Sequence, residues 1–236
     1  MAGNPNPTMA SANAGLTVLQ GELLTWTGQV RLVERRLSIP ARNKKPSMYF
    51  VNSLSDLFHP SLPDAQVLDV FSAMYRAPWH TYQILTKHGE TRGRLISMMR
   101  MVERELGPVP RNVWLGMSVE DRARKSRIGI LREAPAGLRF LSVEPLLEDL
   151  GTLPLDSVDW VIVGGESGGK ARPCDVTWIR RIVAECRSAG VPVFVKQLGS
   201  RPVGAVVKDR KGGAMEEWPE DLRVREMPKF GADDRT

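Results

Sequence analysis

Short apolar runs alternate with helix-like segments through the middle of the chain. Six such runs each end in polar residues, and the stretches between several of them carry apolar residues at spacings of three and four. A strand followed by a helix and a further strand is the βαβ unit from which parallel sheets are built. The predicted strands are Met48–Val51, Thr81–Leu85, Val113–Met117, Leu138–Val143, Trp160–Val163 and Val191–Val195.

This alternation predicts an α/β fold: a partial TIM-like (β/α)6 barrel with mostly parallel strands. Right-handed crossovers leave an open doubly wound sheet as the alternative. We expect a single domain over residues 15–236, with an irregular N-terminal lead-in up to Pro46 and a C-terminal closing segment anchored by Trp218 and Leu222. Residues 1–14 offer little apolar surface, which predicts a loose tail.

Helix ends are predicted from capping residues. Ser118-Val-Glu-Asp121 has the pattern of a capping box, which satisfies the first free amides of a helix. Asp175 precedes an apolar stripe that contains Cys186, and Gly190 follows the stripe as a helix stop. Cys186 is therefore interpreted as a buried core residue.

A glycine turn follows the most apolar of these strands. Trp160–Val163 is typical of a strand buried on both faces, and Gly164 and Gly165 then allow the backbone to come close to a ligand. Glu166, Ser167, Lys170 and Arg172 follow directly, at the strand end where parallel α/β proteins place ligands. A structural turn with solvated charges is the alternative.

Polar side chains follow all six predicted strands, so we expect them to line a shared mouth. Glu144 and Glu166 would form a general acid–base pair if their strands are neighbours, and two solvated carboxylates are the alternative. The expected lining residues are Asn52, Ser53, Thr86, Lys87, Ser118, Glu120, Glu144, Glu166, Lys196 and Gln197.

The composition of the chain limits the classes of protein to which it could belong. The 236 residues are 42% hydrophobic but contain no run of about 18 apolar residues, so no membrane span is expected. The start lacks the pattern of a secretory signal, and a cytoplasmic location is predicted. The net charge of +6 suggests a polyanionic partner, although basic and acidic residues are interleaved along much of the chain.

The sequence contains few residues that could act as metal ligands. Cys174 and Cys186 are its two cysteines, too few for a four-thiolate zinc site or for the three thiolates of an iron–sulfur site. His59, His80 and His88 show no metal-ligand spacing. We therefore predict no metal site.

Seven segments, in the same order, resemble a phage-encoded family designated gp thirty-seven/gp sixty-eight. The resemblance extends from about Gly15 to the C-terminus and implies a partial barrel of the radical-SAM type, in the cytoplasm of a bacterial host cell. The segments are Phe50–His59, Tyr82–Lys87, Asn112–Glu120, Arg139–Leu147, Asp159–Gly168, Val193–Gly199 and Trp218–Arg225.

The resemblance implies a pocket for S-adenosylmethionine. Asn52 and Ser53 would hold its methionine part, and Ser118 and Glu120 would face the ribose. The turn at Gly164, Gly165 and Ser167 would approach the rest of the ligand. The residues left for substrate or phosphate are Lys87, Lys170, Arg172, Lys196 and Gln197.

Family members begin with a cysteine-rich loop for a [4Fe–4S] cluster, and this sequence has none. The start is then truncated, or a separate chain supplies the cysteines, or the barrel serves another purpose. We expect a SAM- or nucleotide-binding protein with a nucleic-acid-related substrate and no cluster of its own.

Two other functions stay open. One is a non-catalytic phage accessory protein that binds nucleic acid or a host protein through basic surface. The other is a cluster-independent barrel enzyme that binds a phosphorylated ligand at Gly164–Gly169 with Lys170 and Arg172. The basic surface residues are Arg31, Arg35, Arg36, Arg42, Lys44 and Lys45.

Overall fold

The computed structural model of the protein describes residues 14–20, 23–53, 55–87 and 92–228. Except for Ala14, the predicted loose tail lies outside these ranges, as does His88. The strands are β1 (Thr17–Gln20), β2 (Leu23–Trp26), β3 (Met48–Val51), β4 (Thr81–Thr86), β5 (Val113–Ser118), β6 (Leu138–Val143), β7 (Trp160–Gly164), β8 (Cys174–Asp175), β9 (Val193–Gln197) and β10 (Pro202–Val203). The α-helices are α1 (Ile39–Arg42), α2 (Asp64–Tyr75), α3 (Arg92–Leu106), α4 (Ser126–Glu133) and α5 (Val176–Ala189).

Six strands form one parallel sheet in the order β3-β4-β5-β6-β7-β9, which is their order along the chain. Each new strand is therefore added to the same edge, and the sheet curls into a half-barrel. A doubly wound sheet would reverse its strand order at a switch point. The partial barrel is confirmed, and the doubly wound alternative is excluded.

The helices cover the convex face of this sheet. Val67, Phe71 and Met74 on α2 are buried, as are Leu95, Met99 and Val102 on α3, so the apolar residues at spacings of three and four on these helices face the core. They pack against the strand residues that point outward, such as Ile84 and Leu115. Burial of these alternate strand positions against helices forms the larger of the two cores.

The connection from β6 to β7 has no α-helix, which departs from six strand–helix units. Residues 144–159 run as an irregular segment that buries its own leucines and a valine against the larger core. Pro145, Gly151 and Pro154 interrupt any helical pattern here, because proline lacks an amide hydrogen and glycine favours irregular backbone. The buried residues are Leu146, Leu150, Leu153, Leu155 and Val158.

The concave face has a second core made of aromatic rings. The ring centre of Trp160 lies 5.6 Å from that of Trp114, 5.8 Å from Phe140 and 6.0 Å from Phe194. Phe140 lies directly over Gly116 of the neighbouring strand, where any Cβ would overlap its ring. The absence of a side chain at Gly116 is what allows these rings to meet.

The closing segment packs as predicted. Trp218 and Leu222 are buried, and the backbone around Val224 pairs antiparallel with the outer edge of β9. The Arg225 guanidinium lies 5.4 Å from the Phe194 ring centre and 5.3 Å from that of Trp218. The segment thereby covers one edge of the sheet.

The lead-in forms a β1–β2 hairpin and then packs on the amino-terminal end of the sheet. Trp79 Nε1 donates to the carbonyl of Asn43 over 2.8 Å, and the buried His80 ring accepts from the Ser47 amide over 3.1 Å. The predicted packing of the lead-in on the barrel is therefore confirmed.

One predicted cap is correct and one is wrong. Asp175 accepts from the Thr177 amide at the start of α5, and Gly190 ends that helix with φ of 67°. Ser118 instead ends β5, and Asp121 caps the 3₁₀ turn Arg122–Arg124 that precedes α4. The strand continues further than the pattern indicated because every residue from Val113 to Ser118 is buried.

Gly116→Ala should destabilise the protein by about 2 kcal/mol, because its methyl group would overlap the Phe140 ring in a packed core. Gly129→Ala is the matched control: Gly129 lies on the exposed face of α4 with open space at its Cβ position. This substitution should stabilise the protein by about 0.5–1 kcal/mol. Urea unfolding of both variants measures the difference, and equal stabilities would contradict the proposed packing.

Candidate functional site

Two serine hydroxyls lie at the floor of the mouth formed by the strands' carboxyl ends. Ser118 of β5 and Ser142 of β6 are register partners, with 0% and 5% of their surfaces exposed. Among the described residues, the fully buried Ser118 Oγ has no hydrogen-bond partner. A buried unpaired hydroxyl costs about 1–3 kcal/mol, so Ser118 is poised to bond to a ligand.

Glu120 is held at the rim by two cations. Its carboxylate lies 2.8 Å from Lys87 Nζ and 3.2 Å from an Arg127 nitrogen, and only 13% of its side chain is exposed. The same Arg127 nitrogen donates to the carbonyl of Ser118 over 2.9 Å. Glu120 is therefore fixed in position just beyond the end of β5, two residues after Ser118.

Glu144 occupies the next place along the rim. It accepts from Lys196 Nζ over 2.9 Å, and 16% of its side chain is exposed. The backbone that follows bonds to both neighbouring strand ends, since Leu147 donates to the Glu120 carbonyl and Leu146 donates to that of Gly164. Glu120, Glu144 and the glycine turn thus belong to one continuous rim.

Glu166 is engaged by Arg172 across the 166–172 loop. Its carboxylate accepts from Arg172 Nε over 2.7 Å, from the second guanidinium nitrogen over 2.9 Å and from the Arg172 amide over 2.8 Å. These side-chain and backbone hydrogen bonds lower the pKa of Glu166 from 4.5 to about 2. A carboxylate with so low a pKa stays ionised and is a poor proton donor near neutral pH, and its bonds to Arg172 close the loop. The predicted acid–base pair of Glu144 and Glu166 stays a prediction.

The glycine turn packs against the protein itself. A Cβ at Gly165 would meet the Leu198 carbonyl and the Cys174 side chain, and Gln197 Nε2 donates to the Gly165 carbonyl over 2.9 Å. The need for glycine at this position is therefore explained without a ligand. Ser167 is half-buried and Lys170 is exposed beyond the turn, and their contact with a ligand stays a prediction.

Asn52 and Ser53 lie at the far side of the mouth, after β3. Asn52 has φ of 60°, which turns the chain sharply at the strand end. β3 is four strands from β7, about 19 Å along the curved sheet. The structure therefore spreads the predicted cofactor residues along the whole mouth and concentrates the buried polar groups at its centre.

Asp56 and Arg127 are site residues that the sequence did not reveal. Asp56 accepts from the Thr86 hydroxyl over 2.9 Å and from the Lys87 amide over 2.8 Å, which fixes the end of β4 below Lys87. The one signal for Arg127 was its place among apolar residues of α4, where a lone arginine needs a partner.

The cysteines do not fit a [4Fe–4S] cluster. Both are buried, and burial raises the pKa of each thiol to about 12. Cys186 is on α5, about 15 Å along the helix axis from its start beside Cys174. Within the described ranges, no group of three His, Cys, Asp or Glu side chains could hold a metal ion.

These features define an α/β half-barrel with a polar, charge-paired mouth at the carboxyl ends of its strands. The chain belongs to the DUF5131 family, a protein family of unknown function whose model matches residues 7–225. Comparisons with curated proteins and with solved structures found no match. No helix in the described part of the chain is long and apolar enough to cross a membrane.

Glu166→Gln should lower the free energy of unfolding by about 1 kcal/mol at pH 7, since it removes a partly exposed ion pair. A carboxyl whose pKa is lowered by folding stabilises the fold above its ordinary pKa of 4.5, and that contribution is lost as pH falls toward about 2. Urea unfolding at a series of pH values should therefore show the deficit shrinking below about pH 4.5.

The control is Glu216→Gln, because Glu216 is exposed and forms no ion pair in the described part of the chain. Its effect should be small at every pH. A Glu166→Gln deficit that does not change with pH would show that the ion pair is not its cause.

Proposed function

We propose that the protein binds a nucleoside-type small molecule, S-adenosylmethionine or a close relative, in the mouth of the half-barrel. The observation that carries this proposal is the Ser118 hydroxyl, which is fully buried and has no hydrogen-bond partner in the described part of the chain, with its register partner Ser142 beside it. Buried polar groups are almost always hydrogen-bonded in folded proteins, so a ligand is the natural partner.

The surroundings suit a ligand that is polar at one end and apolar at the other. Ser118 and Ser142 continue across the sheet into Ile162 and Phe194, which are half-buried register neighbours on the concave face. The hydroxyls and the rim carboxylates would bond to a sugar, and the apolar half would pack against a base. Glu120 and Glu144 accept hydrogen bonds and so favour ligand hydroxyls or an ammonium group.

The role of the chain's own residues is to bind and orient this ligand. Two buried thiols are too few for the three thiolates that hold a [4Fe–4S] cluster. A separate cysteine-bearing chain would have to provide any electron source. Lys87, Lys196 and Arg172 are each paired with a rim carboxylate, whereas Lys170 is exposed and is accessible to a phosphorylated or nucleic-acid-related substrate.

Isothermal titration with S-adenosylmethionine, S-adenosylhomocysteine and adenosine tests the proposal. Ser118→Ala should weaken binding about fivefold, the equivalent of about 1 kcal/mol for one hydrogen bond. The same substitution should leave stability unchanged or raised, because it removes an unpaired buried hydroxyl. A purely structural serine would not combine weaker binding with undiminished stability.

Ser97→Ala serves as the control, since Ser97 is exposed on the convex helix α3. Its affinity should equal that of the unmodified protein. No binding heat at millimolar concentrations of all three compounds would refute the proposal, and so would a Ser118→Ala variant that binds as tightly as the unmodified protein.

A further inference from the structure

Three loops at the amino-terminal ends of β3, β4 and β5 carry only positive charge. They comprise residues 39–47, 76–80 and 107–112, and together contain five lysines and arginines but no aspartate or glutamate. The five are Arg42, Lys44, Lys45, Arg76 and Arg111.

Hydrogen bonds join the three loops into one surface. The first loop accepts from Trp79 Nε1 through the Asn43 carbonyl, as described above. The second and third are linked by Asn112, whose amide nitrogen donates to the carbonyls of Pro78 over 3.1 Å and His80 over 2.7 Å. The fold therefore brings together cations that are separated by about thirty residues in the sequence, and holds them in place.

The charge on this face is available to a partner. Arg42, Lys44, Lys45 and Arg76 are all exposed, and none forms an ion pair with any residue in the described ranges. Lys44 lies over the Trp79 ring, with Nζ 4.7 Å from its centre. At the mouth, by contrast, Lys87, Lys196 and Arg172 are each neutralised by a carboxylate.

We propose that this amino-end face binds the phosphate backbone of a nucleic acid. Three neighbouring strands span about 10 Å, so the four exposed cations Arg42, Lys44, Lys45 and Arg76 can contact phosphates along one short stretch of backbone. Lysine and arginine contacts to phosphate carry no base information, so the binding is independent of sequence. The half-buried Trp79 ring, which lies under Lys44, adds a flat aromatic surface beside the charges.

The position of this face separates it from the ligand mouth. The loops precede the strands, whereas Ser118, Glu120 and Glu144 lie at or beyond their opposite ends. A nucleic acid bound here is not held over the mouth by these contacts. The two binding functions are therefore independent, and either can fail without the other.

Fluorescence anisotropy with a labelled 20-nucleotide single-stranded DNA, its duplex and the matching RNA tests this inference. With four phosphate contacts the logarithm of affinity should fall with the logarithm of salt with a slope of about −3. Affinity should then drop roughly 60-fold between 50 and 200 mM salt. The full chain is used, with circular dichroism to confirm that each variant is folded.

Lys44→Glu/Lys45→Glu should weaken binding at least about tenfold at 100 mM salt and make the salt slope shallower. Arg76→Glu should also weaken binding, because the fold places this distant residue on the same face. The matched control is Lys208→Glu/Lys211→Glu, which makes the same change in net charge on an exposed loop next to Gly199. This control should bind nearly as well as the unmodified protein.

Equal losses in the control and in Lys44→Glu/Lys45→Glu would overturn the inference, since only overall charge would then matter. Affinity that is unchanged by salt would overturn it as well. Tighter binding to vesicles with anionic phospholipid than to any of the three nucleic acids would replace nucleic acid by a membrane surface as the partner. Titration of the Lys44→Glu/Lys45→Glu variant with S-adenosylmethionine shows whether loss of nucleic-acid binding leaves ligand binding in the mouth unchanged.

Discussion

The half-barrel depends on burial of the apolar side chains on the concave face of its sheet, because an open sheet must shield both of its faces from water. In a closed barrel, side chains from strands on all sides fill the interior. Here the side chains of six strands must cover the concave face without strands opposite them. Trp114, Phe140 and Trp160 achieve this by edge contacts between rings of neighbouring strands. The contact is possible because Gly116 leaves room for Phe140, so a missing side chain determines the packing of the largest ones.

The sequence predicted the strands well and the contacts between them less well. Runs such as Trp160–Val163 were clear because strands buried on both faces are continuously apolar. The absence of a helix between β6 and β7 was harder to predict, since the leucines of this segment are buried in the core without helical spacing. Ser118 and Glu120 were found at a strand end, but Arg127 and Asp56 were not, because a side chain's partner depends on where distant segments meet. Arg42, Lys44 and Lys45 were predicted to be basic surface, but their position beside Arg76 and Arg111 was missed for the same reason.

Charge is distributed differently at the two ends of the sheet. At the carboxyl ends Lys87, Lys196 and Arg172 are each matched by a carboxylate, which keeps the field local and holds side chains in fixed places. At the amino ends the cations stand exposed and without acidic neighbours in the same loops. Long-range attraction of a polyanion requires the second arrangement, and recognition of a small polar molecule is served by the first. One fold thus provides two electrostatic environments.

The closing segment also limits how copies of this chain can associate. By pairing antiparallel with β9 it occupies the hydrogen-bonding groups on that side of the sheet. In the described part of the chain no strand pairs with the outer side of β3, where Met48 and Phe50 are half-exposed. A sheet with one free edge can join a second sheet only once, through a two-fold axis. Edge pairing would therefore stop at a dimer, and a growing fibre would require the closing segment to detach first.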